Sequence, residues 1–164
     1  MFLIDANVLI AAKNLYYPLD RIPQFWEWLI EMGEADKIKI PREIHDEISE
    51  RDNPLGDWAR DSITKDALLL MEDPDPAFVQ RVVKQGYDGD NPQFNDSELE
   101  KIGRDAFIIS YALADAKRVI VTKEVSRPNR RMGNRHIPDA CNDCGVSWCS
   151  DWEMYTSLDF NLRR

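Results

Sequence analysis

Long apolar runs are missing from this sequence. No stretch approaches the ~18 residues of a membrane span, so a helical membrane protein is not expected. Met1 leads straight through Phe2-Leu3-Ile4 into Asp5, without the basic start or long apolar middle of an export signal, and a cytoplasmic location is expected. Cysteine is scarce: three in 164 residues, an odd number, fits a reducing compartment better than a disulfide scaffold. Internal repeats, low-complexity tracts and dividing linkers are also absent, so a single domain over residues 1–164 is expected. A chain this long buries roughly 70% of its unfolded surface and needs no metal or disulfide merely to fold.

Positive charge is in short supply as well. Against 30 Asp and Glu stand 21 Lys and Arg, a net charge of -9, which argues against a protein that coats nucleic acid by bulk electrostatics. The distribution is uneven, however. From Lys117 to Arg135 seven basic residues face one acid, Glu124, so this strip carries +6 and the remainder -15. A polyanion would be met there, with Lys123, Arg127, Arg130, Arg131 and Arg135 as the candidate phosphate contacts and Arg163 and Arg164 as an extension.

What is present alternates strands with helices. Phe2-Leu3-Ile4 reads as a buried strand, and Val8 to Ala12 as a helix entrance. Asp20 is placed to cap a helix from about Arg21 to Met32, ended by Gly33. Lys37 to Ile40 alternates as a strand, and Pro41 opens a helix reaching about Arg51. Residues 52–95 are punctuated by prolines and acids into short helices, with a strand suggested by Ala67-Leu68-Leu69-Leu70. Asp105 to Ala114 reads as a buried helix, Val119 to Thr122 as a parallel strand, Val146 to Trp148 as a last strand, and Asp151 begins a closing helix. The pattern implies an α/β fold, three layers of α/β/α around a mostly parallel sheet.

In such sheets ligands bind beyond the carboxyl ends of the strands. Asp5 ends the first strand, Glu124 follows the Val119 strand, Asp105 opens the helix leading into that strand, and Glu47 lies in the helix after Pro41, with Glu43 one turn earlier as its substitute. Carboxylates gathered and buried without partners repel at a cost of several kcal/mol each. A divalent cation removes that cost, and a donor set of oxygens favours Mg²⁺ or Mn²⁺, the metals of phosphodiester hydrolysis. Each acid also has a plain reading, as a helix cap for Asp5 and Asp105 and as a solvated surface charge for Glu47 and Glu124.

Three blocks, Phe2 to Ile10, Ile40 to Ile48 and Asp105 through Val119 to Glu124, resemble the PIN domain, the nuclease fold of VapC-type toxins and several RNA-processing enzymes. Ile137-Pro138-Asp139-Ala140-Cys141 resembles a segment of one bacterial and archaeal branch of that family. The resemblance implies a metal-dependent ribonuclease, the toxin of a type II toxin-antitoxin pair as one form of it, with Asp5, Glu47, Asp105 and Glu124 as metal-binding and catalytic residues. It further implies that Asn7 supports the first Asp and that Thr122 is the hydroxyl before the last acid. Glu124 departs from the commoner Asp, and its longer arm suits action through water.

Two rival functions remain at this point. A haloacid-dehalogenase-type phosphatase also begins from a strand-end Asp, but it wants Asp-x-Asp, and Asn7 stands at the second position. A non-catalytic RNA- or protein-binding module would use the basic strip alone. His136, Cys141, Cys144 and Cys149 can be drawn as a zinc site, although a lone C-x-x-C fits buried thiols better. Phe25, Trp28, Leu29 and Met32 on one face and Trp26 and Ile30 on another give the second helix a wide apolar girth, room for a second copy or an antitoxin protein as well as for core packing.

Overall fold

A computed structural model describes residues 1–162; Arg163 and Arg164, named above as an extension of the basic strip, lie outside the described residues. Four short strands, β1 (Phe2–Ile4), β2 (Ile38–Lys39), β3 (Val119–Val121) and β4 (Ser147–Cys149), form one sheet in the order β2-β1-β3-β4. Every pairing is parallel, with Phe2 opposite Val119 and Ile4 opposite Val121. Leu3, Ile4, Ile38, Ile120 and Val121 are fully buried, as expected of strands covered on both faces.

The chain leaves β1 toward β2 on one side and later returns to the other side to lay down β3. The topological switch point therefore falls between β1 and β3. With right-handed crossovers, the connections running in opposite directions put their helices on opposite faces. Helices α8 (Asp105–Leu113) and α9 (Ile137–Cys144) pack on β3 and β4, and α6 (Pro76–Gly86) lies across both. Helices α2 (Pro23–Glu34) and α10 (Asp151–Ser157) form the other layer, joined through Phe25, Trp28 and Tyr155. The fold is a three-layer α/β/α sandwich.

Several boundaries differ from the sequence reading for local reasons. Helix α2 begins at Pro23, which fills its first turn, and Asp20 makes no cap. Helix α3 (Arg42–Ser49) begins after Pro41 rather than on it. The Ala67 to Leu70 run is not a strand: α5 (Ser62–Leu68) takes its first half, and only an isolated bridge joins Leu69 to Ile40. Helix α4 (Pro54–Arg60) is capped by Asn53, α5 by Asp61 and α6 by Asp75, so the acids and prolines of this region are helix starts. Phe25, Trp26, Trp28 and Leu29 are all buried within the chain, with Trp26 against Trp58 and its Nε1 donating to the Tyr17 carbonyl. The girth of α2 is thus consumed by its own core. Among the described residues no helix is long and apolar enough to cross a membrane.

Candidate active site

Asp5 and Thr122 stand side by side at the carboxyl ends of β1 and β3, at the switch point itself. Asp5 is only 5% exposed, and its side chain makes no capping bond to α1 (Ala6–Ala11). Instead Oδ2 accepts a hydrogen bond from Thr122 Oγ1 at 3.0 Å. Asn7 braces the same corner: Nδ2 donates to Thr122 Oγ1 at 3.3 Å, while Oδ1 accepts the Lys123 N–H at 3.0 Å. The amide does here what a second acid could not, since it both donates and accepts.

Helix α8 runs back toward the start of β3, so its first turn lies at the carboxyl rim of the sheet and delivers Asp105 there. Asp5 is pushed up to about 7, mainly by desolvation; the Thr122 hydrogen bond opposes the shift, and the charges of Glu124 and Glu47 add to it. Asp105 is also held well above the ordinary carboxylate range, first by desolvation and then by Asp5, Glu124 and Glu47. The four sequence-predicted acids therefore share one electrostatic neighbourhood, although they come from four separate segments.

Glu47 reaches it from α3, half-exposed and 3.6 Å from Arg51 one turn on. An exposed pair of this length within a helix is worth a few tenths of a kcal/mol, which leaves the carboxylate available. Glu43 points elsewhere, accepting the Tyr111 hydroxyl at 3.5 Å, and is not the substitute that spacing allowed. Glu124 is fixed at one end: Oε2 accepts the Ile137 N–H at 2.7 Å, at the start of α9, and its own N–H donates to Thr122 Oγ1.

Two residues at this site escaped the sequence reading. Asp139, 5% exposed in the first turn of α9, accepts from Ser126 Oγ at 2.5 Å and from the Arg127 N–H at 2.7 Å, so it pins the loop after Glu124. Its signal was the Ile-Pro-Asp segment, read as a motif without a task. Tyr87 ends α6 between α8 and α9, fully buried, and its hydroxyl has no hydrogen-bond partner among the described residues. Burial raises that phenol first, and Asp105, Cys141 and Glu124 add to the shift. A lone aromatic in a proline-rich stretch gives no sequence signal for such a position.

The basic strip divides. Lys123 Nζ pairs with buried Asp151 at 3.1 Å and lies 5.1 Å from the Tyr16 ring centroid, and Arg135 pairs with Asp143 at 2.6 Å. Arg127, Arg130 and Arg131 are exposed, and none of their side chains forms an ion pair among the described residues. Cys141 and Cys144 are buried free thiols and Cys149 is half-buried at the end of β4; burial is the main force raising all three thiols. His136 Nδ1 is engaged by the Val125 carbonyl at 2.9 Å.

Among the described residues no three His, Cys, Asp or Glu side chains stand ready to clasp one ion. The unpartnered Tyr87 hydroxyl marks unmet hydrogen-bonding capacity near Asp105 and Glu124. Carboxylate oxygens without His or Cys are the donor type that hard divalent cations take.

The fold defines an α/β protein with buried acids, Asp5 and Asp105, near the rim where the strand order of its parallel sheet reverses. The family model described as Domain of unknown function (DUF4411) matches residues 2–162, and the chain belongs to that family. No curated protein and no solved structure matches it.

Proposed function

We propose that the protein is a PIN-like, Mg²⁺- or Mn²⁺-dependent endoribonuclease that hydrolyses RNA phosphodiester bonds at the pocket between Asp5, Glu47, Asp105 and Glu124. The observation that carries this reading is the burial of Asp5 at the switch point, fixed by the Thr122 hydroxyl, with Asp5 and Asp105 both raised first by desolvation and then by neighbouring acid charges. A bound cation would supply charge neutralisation and an activated water there.

The chain's own residues divide the remaining work. Asp5 is oriented by Thr122, and Asn7 orients Thr122, so the innermost carboxylate is aimed by a two-layer brace. Glu124, held through one oxygen by the Ile137 amide, has its other oxygen to orient a water. Arg127, Arg130 and Arg131 would grip phosphates on either side of the scissile bond without reading sequence. A role as a toxin released from a small antitoxin protein, or as a homodimer, belongs to the same reading.

Incubation of the purified protein with RNA tests it. Cleavage is expected with Mg²⁺ or Mn²⁺ and is expected to vanish in excess chelator and in Asp5→Asn, whose circular dichroism stays that of the parent. Undiminished cleavage in either arm removes the assignment. Release of inorganic phosphate from a small phosphoester would instead favour the phosphatase, and RNA retention at low salt without cleavage under any divalent cation would favour a binding module.

A further inference from the structure

A groove of about 290 Å³ is lined in part by Glu124 and by Thr122, the residue that donates to Asp5. Its remaining walls include Val125, Trp148 and Trp152. Trp152 is 55% exposed and Val125 61% exposed, so a large apolar surface is left to water at this point. Two tyrosine rings flank the indole. Tyr16 and Tyr155 meet it at steep angles, 69° and 86°, with ring centroids 6.2 and 5.7 Å away. Two acids line the groove: Asp151 is paired with Lys123, and Glu124 accepts the Ile137 N–H through one oxygen. The segment carrying Val125 then continues into Arg127, Arg130 and Arg131, the exposed arginines without ion pairs.

We propose that this groove is a stacking subsite for one unpaired base of single-stranded RNA, with Trp152 as the platform and the adjoining phosphate directed at the acid pocket. The proposal rests on the ribonuclease reading above and deepens it to a substrate class. A rigid indole ring offers every base a π-face, whatever its identity. The size of the groove, at the lower limit of roughly 300–1,000 Å³ for ligand sites, suits a single flat ring. Stacking requires a base splayed from its neighbours, which a duplex does not present. Three arginines beside an otherwise acidic body favour a polyanion over a neutral or basic chain, and the exposed indole adds the π-face that a base takes.

The test uses the full chain in the Asp5→Asn background, so that binding is read without turnover. The probe is a short unpaired RNA carrying a fluorescent adenine analogue that dims when stacked. Binding is expected to quench the analogue. Trp152→Ala is expected to abolish the quench and weaken Kd about tenfold, on the scale of one lost base stack, whereas Trp152→Phe retains most of both. The same strand annealed to its complement should give no quench. An undiminished quench and Kd in Trp152→Ala, duplex bound as tightly as single strand, or a change of oligomeric state in Trp152→Ala with RNA binding intact would each overturn the proposal. The last outcome would identify the groove as a protein contact. The two readings fail separately: stacking without cleavage by the parent protein leaves the groove standing and removes the nuclease, while cleavage with a KM indifferent to Trp152 does the reverse.

Discussion

The hydroxyl of Thr122 donates to Asp5 Oδ2 at 3.0 Å, joining the ends of two neighbouring parallel strands across 117 positions of chain. Among the causes acting on Asp5, this bond is the main one that favours its ionised form. Thr122→Val keeps the shape and removes the donor. It is expected to lower RNA cleavage about 10- to 100-fold while costing the fold about 1 kcal/mol. Thr122→Ser is expected to recover most of the rate. Equal rates for Val and Thr, measured under saturating Mg²⁺, would strip the hydroxyl of this role.

Stability should fall as pH rises in metal-free protein. Asp5 is held at about 7 in the folded state, mainly by desolvation, so the native chain keeps a proton that the unfolded chain releases above its ordinary range. The unfolded state thus binds fewer protons between pH about 4 and 7, and the slope of unfolding free energy with pH is negative there. At ~1.4 kcal/mol per unit the loss is at most about 4 kcal/mol, and Asp105 adds to it with the same sign. Melting temperature in chelator should decline through this window. Asp5→Asn should remove part of the decline, and a melting temperature that climbs across the window would contradict the burial of an uncompensated acid.

Asp139 holds the segment after Glu124 through Ser126 Oγ and the Arg127 amide. Asp139→Ala leaves both donors without their acceptor and is expected to cost roughly 1–3 kcal/mol. Hydrogen exchange at the Arg127 amide should accelerate in the variant, and RNA affinity should drop with it. Exchange as slow as in the parent would mean that the segment holds itself.

The Tyr87 hydroxyl is buried without a protein partner. If nothing fills the space beside it, Tyr87→Phe should stabilise the metal-free protein by about 1 kcal/mol, the cost of an unmet polar group. Added Mn²⁺ should then raise the melting temperature of the variant less than that of the parent. A larger rise in the variant would separate Tyr87 from the acid cluster.

The framework of this site was legible because parallel strands buried on both faces announce themselves as triplets such as Phe2-Leu3-Ile4 and Val119-Ile120-Val121, each ended by a polar residue. The first-turn position of Asp105 followed from the helix it opens. The choice between Glu43 and Glu47 was not legible, since the two stand one turn apart on α3 and only the packed chain shows Glu47, not Glu43, among the charges acting on Asp5 and Asp105. The Leu68-Leu69-Leu70 run misled for a related reason: an apolar run ending a buried helix has the same composition as a strand, and the bridge from Leu69 to Ile40 is a single pair. Basic residues looked alike as well, until Lys123 and Arg135 were seen tied to Asp151 and Asp143. Net charge counts side chains without saying which are already spent on the fold.

Gly133, within the arginine-bearing segment, sits with its backbone pressed on the Glu98 carbonyl, where a methyl group would collide, and its N–H donates to Glu98 Oε2 at 2.9 Å. Lys101 completes the fastening with a 2.6 Å contact to the same carboxylate. The segment is moored at both ends, to Asp139 near its start and to Glu98 near its finish. Its arginines are offered from a taut span rather than a loose tether, so little chain entropy is left to lose when a phosphate backbone settles across them.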